Sequence, residues 1–352
     1  MIFQSASRYS FINTRIRGLK AKLLSAADYE KLLDAEDIEE LTRLLVESDY
    51  QILFQEVGTH LNMLDTKLNQ SFIQEVKSLL NYLPKGSQQF VQCYLRRYFL
   101  DGLKTILRTF GTGIPPQEVQ TLLLGTEEEI RTLQDLIMAD SLSLMVERLT
   151  NYYLKNILRE QVDLAESLKT SVPLELAIDR WFYTGLWKDS EDALRGTDRE
   201  LAQQFVGNQI DLLNIQALLR IKRQFPAFDE RMIRNLLIPM NYRLRDVLNR
   251  CLTAASPTEI FNYLLDTPYR DFARLSREVF EETGSLGDLE MRAKGHLHYI
   301  AFRMLLGQPF NIGAFLAFLI IKGTEIQNVR AIAVGIASNV DKARIRQYIL
   351  VP

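Results

Sequence analysis

Three segments of this 352-residue chain repeat one pattern at nearly constant spacing. In each segment a small or polar residue is followed by an aliphatic residue, then by Lys, Gln or Arg, and soon by another aliphatic residue. The small or polar residues are Gly102, Asn214 and Asn328, which lie 112 and 114 positions apart. The repeated segments are Phe99–Arg108, Asp211–Arg220 and Glu325–Val334. The repeat constrains the fold more than any other feature, because each copy must fold into a similar unit.

Two further elements accompany the repeated segments. An apolar triplet begins 20 to 22 residues after each small or polar position; the triplets are Leu122–Leu124, Leu236–Ile238 and Ile349–Val351. Earlier in the chain, Glu40 precedes Tyr50 by ten residues. Glu259 precedes Tyr269 by the same distance, whereas the middle copy of this element, near residues 144–153, is more degenerate.

The order and spacing of these elements predict three tandem domains of similar fold, at residues 1–125, 126–240 and 241–352. A period of this length is too long for tetratricopeptide or HEAT units, so a solenoid of short hairpins is not expected. By analogy with closed homo-oligomers, three similar domains suggest a pseudo-threefold arrangement in which related interfaces enclose a central space.

Helical periodicity dominates the chain and predicts an all-α fold. Apolar residues recur every three or four positions, for example at Leu212, Ile215 and Leu218, and no sustained alternating strand pattern is present. Asp34 and Ser256 are residue types that often cap helix N-termini, and we interpret both as helix start signals.

Composition and charge exclude several classes of function. The apolar fraction is 47% and the net charge is −2, which is typical of a globular protein and lacks the basic excess that nucleic-acid binding requires. The local basic run Arg15–Lys22 is interpreted as a solvated helix face. Nucleic acid is therefore not an expected partner.

The cysteines and the apolar stretches predict a cytoplasmic protein. Cys93 and Cys251 are too few for a disulfide framework, and residues 1–17 lack the features of a signal peptide. The most apolar stretch, Ala314–Ile321, is far shorter than the roughly 20 residues of a membrane span and is expected to be a buried helix. Any membrane association is therefore expected to be indirect, through a partner.

No motif predicts catalysis, a metal or a cofactor. His296 and His298 form the one HxH pair, but on a helix these positions point about 200° apart and cannot share a metal ion. Gly111–Gly113 lacks the further residues of a dinucleotide or phosphate loop and is interpreted as a helix end and turn, so no nucleotide is expected to bind directly. The GxSxG motif of hydrolases is absent.

The repeated asparagines allow two interpretations. Asn214 and Asn328 are either buried and bonded to backbone groups, or they line a central cavity that holds a partner. The second interpretation also includes cationic and polar residues close to the repeated positions. The candidate partner-interface residues are Lys104, Arg108, Asn214, Gln216, Arg220, Asn328 and Arg330.

Several of these segments carry a family resemblance. The opening Tyr9–Arg17, the later Ser48–Tyr50 and the ending Lys322–Ile332 resemble the C subunit of V-type and A-type rotary ATPases, the family that includes the eukaryotic d subunit. The acidic Asp288–Glu290 also resembles the family's lead-in to its last domain. The sequence departs from the family pattern at Ala333–Ile336 and matches weakly in the middle domain, although the resemblance covers the whole length.

The resemblance implies a non-catalytic protein, a funnel or socket of three helical domains on the cytoplasmic face of a membrane ring of proteolipid subunits. Its cavity would accept the end of the central stalk, with D-type and F-type subunits as partners. It would transmit torque between ATP-driven rotation and movement of H⁺ or Na⁺, without a cofactor. The alternatives are a stand-alone helical scaffold or adaptor protein unrelated to rotary motors and, less favoured, a helical enzyme with a carboxylate–metal site.

Overall fold

The computed structural model describes residues 2–48, 50, 61–110, 114, 119, 123 and 127–351. Throughout these residues the regular structure is α-helical and no β-strand is present, which confirms the all-α fold class. The chain divides into two compact units, Met1–Ile137 with Ala301–Pro352 (unit 1) and Met138–Ile300 (unit 2). The three repeat domains and their pseudo-threefold funnel stay predictions.

The helices follow one another with short connections. The first seven belong to unit 1: α1 Ile2–Lys20, α2 Ala26–Asp34, α3 Ile38–Val46, α4 Leu61–Leu80, α5 Lys85–Leu95, α6 Arg97–Thr109 and α7 Glu127–Ile137. The next are α8 Leu142–Arg148, α9 Tyr152–Leu168, α10 Val172–Ala193, α11 Gly196–Gln224, α12 Glu230–Leu236, α13 Asp246–Thr253, α14 Pro257–Leu264, α15 Arg270–Thr283 and α16 Leu289–Leu305. The last two are α17 Gly313–Ala337 and α18 Lys342–Arg346.

Unit 1 is built around α17, which is apolar on all sides in its first half. The predicted buried helix Ala314–Ile321 is confirmed, because it lies in α17 with Phe315 and Phe318 almost inaccessible to water. α17 packs against α1, α2, α3, α4 and α18. A helix that is apolar all round is stable in water only when other elements cover it, so α17 has to be the centre of the unit.

Unit 2 is built around the 29-residue helix α11. Its apolar positions, among them Leu212, Ile215 and Leu218, join a core that also contains Ile260 and Phe261 of α14. α10 packs along α11 and forms a hairpin with α9. The predicted helical periodicity at Leu212, Ile215 and Leu218 is confirmed.

Helix starts were predicted correctly in one case and wrongly in another. Ser256 caps α14, and its side chain accepts the backbone N–H of Glu259. Asp34 is instead the last residue of α2. The cap of the following helix is Asp37, whose carboxylate accepts the N–H of Glu40 at 2.8 Å. In both caps the glutamate also accepts an N–H just before the helix, which makes a capping box.

Candidate functional site: two carboxylate–tyrosine clusters

Glu325 of α17 is buried, with 3% of its surface exposed. Its Oε1 accepts a hydrogen bond from the Tyr50 hydroxyl at 2.5 Å and an ion-paired hydrogen bond from Lys322 Nζ at 2.6 Å. Its Oε2 accepts the backbone N–H of Leu24 at 2.6 Å. Lys322 Nζ also lies 2.9 Å from the Tyr50 hydroxyl oxygen and 4.3 Å from the centre of that ring. We call these four residues the Glu325 cluster; its two buried charges compensate each other.

Tyrosine hydroxyls in this cluster stay protonated. Burial, reinforced by the negative charge of Glu325, raises the pKa of Tyr50 well above its ordinary value. The neighbouring Tyr29 has its pKa raised by the same two causes in the same order. Because ionisation of either ring would add a second negative charge beside Glu325, the Tyr50 hydroxyl acts as a hydrogen-bond donor over the whole neutral range.

Asp211 of α11 occupies a similar setting in unit 2 and has no exposed surface. Its Oδ2 accepts the Tyr269 hydroxyl and the backbone N–H of Arg243, both at 2.7 Å. Its Oδ1 accepts the backbone N–H of Tyr242 at 2.8 Å, and Asn208 Oδ1 lies 3.3 Å from the Tyr269 hydroxyl. We call these five residues the Asp211 cluster. It fixes the segment between α12 and α13 onto the middle of α11.

The electrostatics of the Asp211 cluster differ from those of the Glu325 cluster. Burial raises the pKa of Asp211, although the hydrogen bonds from Tyr242, Tyr269 and Arg243 act in the opposite direction. The groups that donate to Asp211 are two amides and a hydroxyl, so hydrogen bonds rather than an ion pair stabilise its charge. Burial and the charge of Asp211 also raise the pKa of Tyr269, which therefore remains a donor.

The two clusters occupy equivalent positions of the repeat. The elements that supply the tyrosine and the backbone N–H are offset by 219 residues, and the helices that supply the carboxylate by 114. The matching pairs are Leu24 and Arg243, Tyr50 and Tyr269, Lys322 and Asn208, and Glu325 and Asp211. On each helix the polar positions are spaced by three, which places them on adjacent turns. The repeat found in the sequence therefore corresponds to a repeated set of long-range hydrogen bonds.

The repeated asparagines complete this arrangement. Asn214 Nδ2 donates to the carbonyls of Ile238 at 3.2 Å and Met240 at 3.0 Å, and its Oδ1 accepts the N–H of Ile238 at 3.0 Å. Asn328 donates to the carbonyl of Leu350 at 2.7 Å and accepts its N–H at 2.9 Å. Both side chains are almost fully buried. This geometry is what the first interpretation predicts, backbone binding; a further contact with a partner stays a prediction.

Other predicted interface residues on the same helices lie nearer the surface. Gln216 is buried and donates to the carbonyl of Leu212 at 3.1 Å, one turn earlier in α11. Arg220 is half-buried, and Arg330 is exposed on α17. The two arginines therefore have solvent access that the asparagines lack.

The first copy of the repeat lacks the polar cluster. Phe99 stands where the other copies have a carboxylate, and the buried Gly102 stands where they have asparagine. Lys104 is half-buried on α6 and Arg108 is exposed there. Whether all seven candidate residues face one cavity stays a prediction.

The residues that dominate these clusters were not among the predicted site residues. Tyr50 and Tyr269 were recognised as repeat markers only, and Asp211 and Glu325 as alignment positions. A usable signal was present, because an acid three residues before a buried asparagine in an otherwise apolar helix requires a partner. Lys322, which ends the longest apolar stretch, pointed to the same place.

Two of the sequence motifs lie outside these clusters. His296 and His298 of α16 are largely buried, and burial lowers the pKa of both imidazoles. His296 lies against Tyr269, with ring centroids 5.2 Å apart. The interpretation of Gly111–Gly113 as a helix end and turn lies outside the described residues. In the part of the chain that the structure describes, no helix is long and apolar enough to cross a membrane.

Comparisons with known proteins agree over almost the full length. The family model described as ATP synthase (C/AC39) subunit matches residues 12–348. The C subunit of the A-type ATP synthase of Methanocaldococcus jannaschii is 23% identical over 347 residues, which cover 97% of this chain and 86% of that protein. The corresponding C subunit of Haloferax volcanii is 23% identical, covering 98% of both chains. That of Methanococcoides burtonii is 25% identical, covering 99% of this chain and 95% of that protein.

Proposed function

Because this chain belongs to the ATP synthase (C/AC39) subunit family and is a rotary ATPase subunit, we propose that it joins the central stalk to the membrane proteolipid ring. In this role it transmits torque between ATP hydrolysis or synthesis and ion movement, without catalysis of its own. Its partners are the D-type and F-type stalk subunits and the ring, on the cytoplasmic face of the membrane. The observation that carries the proposal is the family match over residues 12–348.

The two polar clusters support a mechanical role. In unit 1, hydrogen bonds join Glu325 to Leu24 and Tyr50, which are 301 and 275 residues away in sequence. In unit 2, Asp211 and Asn214 fix the segment that follows α12. A body that transmits torque has to resist deformation, and buried hydrogen bonds within a close-packed helical core supply that stiffness.

The same geometry supports a non-catalytic role. Glu325 and Asp211 are the most deeply buried carboxylates of the two clusters, and their oxygens are engaged by donors from the protein itself. A general acid or base needs a face open to substrate. In these clusters the carboxylates instead hold the fold together.

The partner contact is proposed for the cationic residues near the repeated positions. Arg220 and Arg330 retain solvent access, unlike Asn214 and Asn328. Cationic groups on a socket would favour docking of acidic stalk helices and orient them. Lys104 and Arg108 carry the same charge at the corresponding part of the first copy.

Reconstitution of the rotary ATPase with a charge-reversed variant of this chain tests the proposal. Arg220→Glu with Arg330→Glu should leave ATP hydrolysis active while ion pumping per ATP falls, because the stalk contact is weakened. Arg231→Glu with Arg344→Glu, a matched reversal at exposed arginines away from the repeated positions, should pump normally. A fully coupled complex containing the Arg220/Arg330 variant would contradict the proposed socket.

The scaffold alternative is argued against by the family membership. A stand-alone adaptor unrelated to rotary motors would not be expected to align over 97–99% of its length with the C subunits of A-type ATP synthases. Copurification with a membrane ring and stalk, tested across several salt concentrations, separates the two functions directly. Recovery of the chain as a free monomer from every preparation would favour the scaffold.

A further inference from the structure

Two stretches of the chain contain no acidic residue, although the whole chain carries a net charge of −2. Residues 1–27 contain five basic residues, and residues 291–324 contain four. Parts of both stretches meet in unit 1, where α1 packs against α17. The Lys20 ammonium lies 5.6 Å from the centre of the Phe302 ring, so the end of α1 also meets the end of α16.

Apolar side chains are exposed beside this positive charge. Phe302 has 40% of its surface exposed and Leu306, one turn later, has 67%. Arg303 lies between them and is also exposed. On α1, Arg17 and Lys20 are exposed and three residues apart, so they are neighbours on one helix face. We call Arg17, Lys20, Lys22, Phe302, Arg303 and Leu306 the basic–apolar surface.

We propose that the basic–apolar surface binds the anionic surface of a lipid bilayer. The positive charges match acidic headgroups, and each basic residue close to such a surface strengthens partitioning by about fivefold. Exposed aromatic and aliphatic side chains beside basic ones insert between headgroups at the interface, without spanning the membrane. An acidic protein surface would also attract the cations but would leave the exposed Leu306 unexplained, so the lipid surface is the better match.

This inference goes beyond the proposed function and does not depend on it. It adds a direct lipid contact to the indirect membrane association that a stalk component has through its partners. The contact is expected to be weak and salt-sensitive, because a few exposed charges act at a screened surface. It would orient the basic–apolar surface toward the bilayer.

Flotation of the full-length chain with vesicles tests the proposal. One vesicle preparation is pure phosphatidylcholine, and the other contains about 30 mol% phosphatidylserine to supply the negative surface potential. The chain should bind the anionic vesicles and not the neutral ones. Raising the salt concentration to about 0.3 M should release it, because the Debye length falls.

Matched variants locate the contact. Arg17→Ala with Lys20→Ala should lower partitioning by about 25-fold, from two charges at about fivefold each. Lys188→Ala with Arg231→Ala removes the same charge from exposed positions of unit 2 and should change binding less than about twofold. Phe302→Ser with Leu306→Ser should weaken binding severalfold while its salt dependence persists. Far-UV circular dichroism checks that each variant is folded.

Several results would overturn the proposal. Equal binding to both vesicle types would remove the charge contribution, and equal losses in the two double-alanine variants would show unspecific attraction. If the Arg17/Lys20 variant binds vesicles normally but fails to assemble with the rest of the ATPase, the surface binds an acidic protein instead. Loss of coupling in the reconstituted complex with normal vesicle binding would concern the proposed function alone.

Discussion

Neutralising the carboxylate of each cluster should have very different consequences. Glu325→Gln removes the ion-pair partner of Lys322, whose side chain is only 10% exposed, and so leaves a positive charge buried without compensation. Asp211→Asn removes a buried negative charge whose donors are two amides and a hydroxyl. The asparagine Oδ1 can still accept a backbone N–H, and its Nδ2 can donate to the Tyr269 hydroxyl. The two substitutions remove the same charge but leave different neighbours.

The expected magnitudes follow from what each substitution leaves behind. Removing one partner of a buried ion pair costs about 3–5 kcal/mol, which we expect for Glu325→Gln. Replacing one hydrogen-bonded acceptor by another changes stability by about 1 kcal/mol or less, which we expect for Asp211→Asn. With a urea m-value of about 2 kcal/mol/M, Glu325→Gln should lower the unfolding midpoint by roughly 1.5–2.5 M.

Urea denaturation can assign the loss to one unit. Both tryptophans of the chain, Trp181 and Trp187, lie in α10 of unit 2, so their fluorescence reports on that unit. Far-UV circular dichroism reports helices of both units. Glu325→Gln should therefore shift the dichroism transition more than the fluorescence transition. Lys322→Met together with Glu325→Gln, which removes both charges, should recover most of the loss.

The pH dependence of Asp211→Asn provides a second test. Because burial raises the folded-state pKa of Asp211 above the ordinary value of 3.8, the protonated carboxyl fits the cluster better than the charged one. This contribution to stability is fully present below pH 3.8 and is lost as the pH rises through the folded-state pKa. The stability of Asp211→Asn relative to wild type should therefore increase from about pH 4 to about pH 7. A loss from Asp211→Asn as large as that from Glu325→Gln would refute the reasoning.

Three further predictions concern packing, a thiol and the C-terminal segment. Gly207→Ala should cost about 1–3 kcal/mol, measured by fluorescence-monitored unfolding, because its Cβ would collide with Tyr242, whereas Gly185→Ala on exposed α10 surface should be neutral or stabilise by up to about 1 kcal/mol. Burial raises the pKa of Cys251 to about 12, so a thiol reagent at about pH 8 should modify at most one of the two cysteines until denaturant is added. Asn328→Ala should cost about 1–3 kcal/mol and speed amide exchange in residues 349–351, whose backbone loses two hydrogen bonds. Slow exchange in this variant would mean that other contacts hold the segment.

The long helices and the repeat were predictable because both leave periodic signals in the sequence. The spacing of Asn214 and Asn328 corresponds to the 114-residue offset of the two clusters. The backbone partners of these residues were not predictable, because a buried amide shows that a partner exists without showing which one. Glu325 illustrates this limit, since its donors Leu24 and Tyr50 are at the other end of the chain.

The helix caps show a second limit of sequence interpretation. Asp34 and Asp37 are both good N-cap residue types, and composition alone does not separate them. The deciding feature is the glutamate three residues after Asp37, because Glu40 closes a capping box that Asp34 cannot form. For Asn214 and Asn328 the sequence left two interpretations open, and the burial of both side chains decided that their amides bind backbone.

The two clusters differ most at one position, where Lys322 in unit 1 corresponds to Asn208 in unit 2. If the cation sets the pH response of a cluster, Asn208→Lys should supply Asp211 with the charge partner that Glu325 already has. The nearby positive charge would lower the raised pKa of Asp211, so unit 2 should lose less stability between about pH 4 and about pH 7 than in the wild type. The slope with pH is the relevant measurement, because burying a new lysine also changes absolute stability. Lys188→Asn, an exchange at an exposed site of unit 2, should leave that slope unchanged, and an unchanged slope in Asn208→Lys as well would mean that the backbone amides alone control Asp211.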